Sequence, residues 1–181
     1  MITLHETVTV DRPIEECFDY VADFRSSAEW DATAFEAQKT SEGPVGLGTQ
    51  FHVRCRLPVG SIAIDYTISE FRPPECVVLD ARCRLFEGAD RIEFRRAGSG
   101  TTIDYRADFK FRAPFSHLES LLRPGMERMG RLAVQGLAEA LDDDFATPRA
   151  SAGSAVADRL LWPGLALFSK LGYRRGRRHF N

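Results

Sequence analysis

The sequence predicts an α+β domain in which a curved antiparallel β-sheet wraps around a long C-terminal helix, with two short helices after the first strand. Three observations predict it. Hydrophobic residues alternate with polar ones through most of residues 33–112. The period turns helical after Pro114. A short helical stretch separates the first alternating run from the rest. A sheet with one apolar face and a long apolar helix bury each other if the sheet curls round the helix.

The elements follow in order. Residues 3–10 (TLHETVTV) alternate as a strand, and Asp11-Arg12-Pro13 ends it. Pro13 suits the first turn of a helix, with Asp11 as an N-terminal cap. Ile14, Cys17, Phe18 and Val21 then share one helical face, and a second helical piece covers 24–29, ending near Trp30-Asp31. Phe51, Val53, Cys55 and Leu57 alternate with His52, Arg54 and Arg56. Ile62, Ile64, Tyr66 and Ile68 oppose Asp65, Thr67 and Ser69. Val77, Leu79, Ala81, Cys83 and Leu85 oppose Asp80, Arg82 and Arg84. Ile92 and Phe94 continue the pattern, as do Ile103, Tyr105, Ala107, Phe109 and Phe111. Such alternation gives each strand one buried and one wet face. Glycines 43, 46 and 48, Pro58 with Gly60, Pro73-Pro74 and Gly98-Ser99-Gly100 mark the turns.

After Pro114 comes an apolar stripe: Leu118, Leu121, Leu122, Met126, Met129, Leu132, Ala133, Gly136, Leu137, Ala140 and Leu141. Pro124-Gly125 is expected to break or kink its first part. Residues 146–155 read as a linker between a domain over 1–145 and an apolar-basic extension over 156–181.

Composition narrows the function classes. The 181 residues are 44% hydrophobic and 28% charged, enough for a core without staples. Of the net charge of −2, residues 155–181 carry +5, with six Lys and Arg against Asp158, leaving −7 for the body. Nucleic acid is not expected as a partner, because acids interleave with the arginines at 82, 84, 91, 95 and 96. The four cysteines, at 17, 55, 76 and 83, have neither CxxC nor zinc-like spacing and read as free thiols in a cytoplasmic protein. No cofactor and no metal are expected. The N-terminus lacks a signal-peptide pattern, and no apolar run is long enough to span a membrane.

Several local signatures add to this order. They are Val8-Thr9-Val10-Asp11-Arg12-Pro13, then Cys17-Phe18-Asp19-Tyr20-Val21-Ala22-Asp23-Phe24, then Trp30. Gly43-Pro44-Val45-Gly46-Leu47-Gly48-Thr49 leads into Phe51, and the helix at 132–141 closes the set. Together they resemble the START-like, or SRPBCC, superfamily, which holds polyketide cyclases, dehydrases and lipid-transport proteins. The resemblance covers about residues 1–145. It implies the helix-grip fold with an apolar cavity between sheet and helix. It implies nothing for 150–181.

The family contains both carriers and enzymes, so the inward residues have to decide. The inward positions named above supply no His, Asp or Glu, and their polar groups are the phenols of Tyr66 and Tyr105 and the thiols of Cys55 and Cys83. By alternation either His5 or Glu6 faces inward, and His52 faces out. No catalytic residue is assigned. The expected function is binding or transport of a hydrophobic small molecule, lipid or polyketide-like. Its expected lining is Trp30, Phe51, Val53, Ile64, Tyr66, Leu79, Phe94, Tyr105, Phe109, Met129 and Leu132. A polyketide cyclase/dehydratase and an interaction module using the tail are the alternatives. In the tail, Trp162, Leu165, Phe168 and Leu171 precede Arg174 and Arg175, the composition of a lid or of an interfacial membrane contact. The chain is expected as a monomer or dimer in the cytoplasm, with peripheral contact at the inner membrane face as an open option.

Overall fold

The computed structural model describes residues 1–57, 60–113 and 115–142. The linker at 146–155 and the extension at 156–181, with Trp162, Leu165, Phe168, Leu171, Arg174 and Arg175, lie outside the described residues.

Strand β1 (Ile2–Val10) leads into helix α1 (Ile14–Ala22), a 3-10 turn (Phe24–Ser26) and the one-turn helix α2 (Ser27–Trp30). Six strands follow: β2 (Ala34–Lys39), β3 (Gln50–Arg56), β4 (Ser61–Arg72), β5 (Cys76–Arg82), β6 (Phe86–Ala97) and β7 (Gly100–Phe111). Helix α3 (Glu119–Asp142) comes last. All pairings are antiparallel, in the order β1-β7-β6-β5-β4-β3-β2. This is the helix-grip architecture.

The predicted parity holds along the sheet. Phe51, Val53, Ile64, Tyr66, Ile68, Leu79, Ile92, Phe94 and Ile103 are buried, while Arg54, Asp65, Arg82 and Arg106 are exposed. A bulge between Ile68 and Glu70 shifts the register of β4 against β5. An extra residue in one strand reverses which side chains face inward. Beyond it Phe71 joins the core and meets Phe18 of α1 edge-on at 5.3 Å. Gly88 occupies the inner row between Ala81 and Phe109, where a Cβ would stand 2.4 Å from the Asp108 carbonyl oxygen. Glycine there lets β6 and β7 approach where the sheet bends.

Three expectations need correction. Asp11 does not cap α1: its carboxylate accepts from Ser99 Oγ, and α1 has no side-chain cap. Pro124 does not break α3, which runs through it. This close to the N-terminus of the helix, the missing N–H strips a partner only from the Ser120 carbonyl, on an exposed residue that water can reach. Leu121 does not belong to the buried stripe and is 45% exposed, whereas Val134 is buried.

The buried part of α3 is its C-terminal half, through Val134, Leu137 and Leu141. Leu137 and Leu141 join the main core, and Arg12 Nε donates to the Leu141 carbonyl at the end of the helix. Before Val134, Leu122, Met126, Met129 and Leu132 are only half-buried.

Candidate functional site

The inner face of the sheet can be followed row by row. Cross-strand partners in an antiparallel sheet point to the same side. One row reads Leu4, Ala107, Asp90, Leu79, Ile68. The next toward α1 reads Glu6, Tyr105, Ile92, Val77 and Phe71. The row on the other side holds Ile2, Phe109, Gly88, Ala81, Tyr66 and Phe51. The choice between His5 and Glu6 is thus resolved: Glu6 faces inward, and His5 faces out to bond Asp104 at 3.0 Å. His52 also faces out and bonds Asp65 at 2.7 Å, and His117 is exposed.

The residue missed in the sequence is Asp90. It is 4% exposed, in the middle of the inner face. The Tyr105 hydroxyl donates to its Oδ2 at 2.9 Å, and its Oδ1 is buried with no hydrogen-bond partner. Burial, aided by the nearby Asp31 and Asp108 and opposed by the Tyr105 bond, pushes the Asp90 carboxyl up to about 7. The expectation of an interior without acids is therefore corrected. The signal was present, since Asp90 stands two residues before Ile92 and shares its parity.

Other polar groups couple to Asp90. Asp31 follows α2, and its Oδ1 accepts from the Thr33 amide and hydroxyl, both at 2.8 Å. Burial raises the Asp31 carboxyl. Burial and the nearby Asp90 hold both Tyr66 and Tyr105 well above the usual phenol range. Burial pushes the Cys55 thiol up to about 12. Aromatic rings enclose this cluster. Phe24 stands 4.7 Å from Tyr66, 6.0 Å from Trp30 and 6.3 Å from Phe51, centroid to centroid. Trp30 meets Tyr105 edge-on at 6.2 Å and donates to Ser26 Oγ at 3.1 Å.

The expected lining residues divide. Trp30, Phe51 and Tyr66 come together around Phe24, Tyr105 meets Trp30, and Leu79 lies beside Asp90. Val53 and Ile64 are paired and sealed. Phe94 does not join them: it packs against Phe18 under α1 at 5.5 Å and is ordinary core. Phe109 lies with Phe86 and Phe111 toward one end of the sheet. Met129 and Leu132 sit on the half-buried part of α3. Among the described residues no group of three or more His, Cys, Asp or Glu could hold a metal ion. No helix among them is long and apolar enough to cross a membrane.

Comparison with known proteins agrees with this architecture. Residues 1–142 match the family described as polyketide cyclase/dehydrase and lipid transport. The chain belongs to this family. Membership in the polyketide cyclase/dehydrase and lipid-transport family supports a hydrophobic small molecule as the general class of ligand. The fold is similar to that of a protein from Thermus thermophilus, at 12% identity and a TM-score of 0.67, covering 77% of this chain and 96% of that one. It is similar to a START superfamily protein from Mycobacterium smegmatis, at 15% identity and TM-score 0.61, covering 77% and 94%. It also resembles the Zhui aromatase/cyclase from Streptomyces sp. R1128, at 13% identity and TM-score 0.62, covering 77% and 90%. At these identities the likeness concerns the fold. No curated protein matches the sequence.

Proposed function

We propose that this family member binds a hydrophobic small molecule between the inner face of the sheet and the N-terminal half of α3, and acts as a carrier. One observation supports this most directly. From Val134 on, α3 buries Val134, Leu137 and Leu141 against the core, while Leu122, Met126, Met129 and Leu132 before it stay half-buried. On β7, Tyr105, Phe109 and Phe111 are likewise half-buried aromatic residues packed against the core. Flexible methionines together with half-buried aromatic rings suit an apolar guest of irregular shape. Native mass spectrometry of the purified chain, followed by titration with a set of alkyl and polycyclic aromatic compounds, tests it. The expected result is a one-to-one complex with at least one compound. The absence of both a co-purifying molecule and binding by every compound overturns the reading.

A second reading is favoured by Asp90. A carboxyl raised to about 7 beside a phenol is matched to proton transfer near neutral pH, as a cyclase or dehydratase would use. The Zhui protein is named an aromatase/cyclase, although only its fold is compared. The reading predicts that Asp90→Asn abolishes turnover of a poly-β-ketone substrate while leaving its binding measurable. Unchanged turnover excludes it.

Membrane contact through the extension at 156–181 is a separate part of the proposal, motivated by its apolar-basic composition. Deleting 156–181 is expected to abolish binding to anionic vesicles. Unchanged vesicle binding removes this part and leaves the carrier reading intact.

A further inference from the structure

The charges around the inner cluster are of one sign. Glu6 lies in the row beside Asp90, next to Tyr105. Asp31 reaches the cluster from the end of α2, and Asp108 acts on Asp90 from the outer face of β7. On α3 the half-buried charged residue of the middle turns is Glu127. From β3, β4 and the β5–β6 connection come only the thiols of Cys55 and Cys83 and the phenol of Tyr66. By parity Lys39 is the described cation on this side, but it sits on the edge strand and its Nζ donates to the Ser41 and Gly43 carbonyls. Arg123, Arg128 and Arg131 of α3 are exposed.

The hydrogen bonding adds a direction. The Tyr105 hydroxyl proton is committed to Asp90 Oδ2. Toward the interior the phenol oxygen therefore offers lone pairs, and it can accept but not donate. Asp90 Oδ1 has no partner. Tyr105 keeps part of its surface accessible, whereas Asp90, to which its hydroxyl donates, is buried. What these groups lack is a donor with positive charge. Rings of Trp30, Phe24 and Tyr66 stand around them, and aromatic faces also attract cations.

We propose that the guest is a lipophilic amine: an apolar molecule whose single ammonium group donates to Tyr105 Oη and to the Asp90 carboxylate. This rests on the reading that the interior binds an apolar molecule, and it names the polar group that molecule carries. Seating the ammonium takes a small displacement of Tyr105, after which the guest's charge offsets that of Asp90. A carboxylate on the same apolar tail would meet the acids Asp90, Glu6 and Asp31, with no cation beside them among the described residues and only the neutral phenol and thiol donors of Tyr66, Cys55 and Cys83. The polarity is therefore the reverse of that of a fatty-acid pocket. It also fixes the pH dependence. The ammonium needs ionised Asp90, so affinity rises with pH up to the apo value of about 7 and then levels off.

The test is calorimetric titration of the full chain with dodecylamine, 1-dodecanol and dodecanoic acid, each below its micellar concentration. At pH 8 the amine is expected to bind at least about tenfold more tightly than the alcohol, and the acid more weakly than both. Between pH 7 and pH 5 the amine's affinity should fall about tenfold per unit while the alcohol's stays level. Asp90→Asn should reduce the amine's advantage over the alcohol to less than about twofold. Tyr105→Phe, which keeps the ring, should reduce it in part, and it serves as the second variant if Asp90→Asn melts early. Equal affinities for amine and alcohol, tighter binding of the acid, or an advantage that survives both substitutions overturns the proposal and leaves the carrier reading standing. Binding by none of the three overturns this inference, and the carrier reading is then decided by the polycyclic compounds.

Discussion

Gly136 of α3 lies directly against the carbonyl of Trp30, so that a Cβ at position 136 would stand 2.2 Å from the Trp30 oxygen. Backbone meets backbone here, and neither side has a flexible end that could yield. Trp30 in turn touches Tyr105. The place where the helix is held is thus one residue away from the polar cluster.

The first prediction follows from that contact. Gly136→Ala is expected to destabilise the fold by about 1–3 kcal/mol, although alanine is the better helix former. Gly130→Ala provides the contrast. Its Cβ would meet only the Leu4 side chain, nearest at Cδ1, 3.1 Å away, and the change should be neutral or stabilising. Thermal unfolding followed by circular dichroism measures both.

The second concerns Asp90 and pH. Its folded value of about 7 lies above the ordinary 3.8, so between those values the folded state holds a proton that the unfolded state has released. Stability from this group is therefore present below about pH 4, declines as pH rises to 7 and stays low above. The loss is on the order of 4 kcal/mol. Comparing wild type with Asp90→Asn by urea unfolding should show the variant gaining about 3 kcal/mol relative to wild type between pH 4.5 and pH 8. Taking the difference cancels the surface carboxylates. Asp23, Glu70 and Asp108, for instance, are lowered mainly by hydrogen bonds from Arg25, Arg91 and Thr3 and act in the opposite sense.

The third isolates the Tyr105 bond. Tyr105→Phe removes the one hydrogen bond that lowers the Asp90 carboxyl, so the titration of Asp90 should move above 7. Carbon-13 NMR of the labelled carboxyl reads it directly. At pH 8 the change should cost about 1–3 kcal/mol, and less in the Asp90→Asn background.

The fourth uses the thiols. Cys17, Cys55 and Cys76 are buried, and burial raises all three, Cys55 to about 12, whereas Cys83 is half-buried. A thiol reagent needs an accessible thiolate. Cys83 should therefore react first in the native protein, and the other three only at the rate of unfolding. Mass spectrometry of the timed reaction resolves them.

Most of the architecture was legible because alternation survives wherever one face of a strand is wet. Phe51, Tyr66, Leu79 and Ile103 could be placed inward from period alone. Asp90 escaped for a physical reason. A charged side chain turned inward inverts the pattern that reveals the strand, so β6 reads as though it began at Ile92. Phe71 escaped because the bulge after Ile68 changes parity within a strand, and a bulge leaves no composition mark. The unequal burial of the two halves of α3 was also hidden. The stripe from Leu122 to Leu141 is continuous in sequence, and only the three-dimensional path of the helix separates Met126 and Met129 from Leu137.

The position of β1 bears on how the molecule is made. Ile2 pairs with Phe109 and Val10 with Thr101, whereas β2 to β7 pair in succession, each with its neighbour in the chain. A nascent chain can zip those six strands as successive hairpins while it emerges. The first strand has to wait, unpaired, until the last one is synthesised. Long-range pairing of this kind slows folding more than it weakens the product. The same closure completes the inner face by bringing Glu6 beside Tyr105. The inner face is thus the last part of the sheet to be finished, and substitutions in β1 should be felt in the rate of maturation before they are felt in the melting temperature.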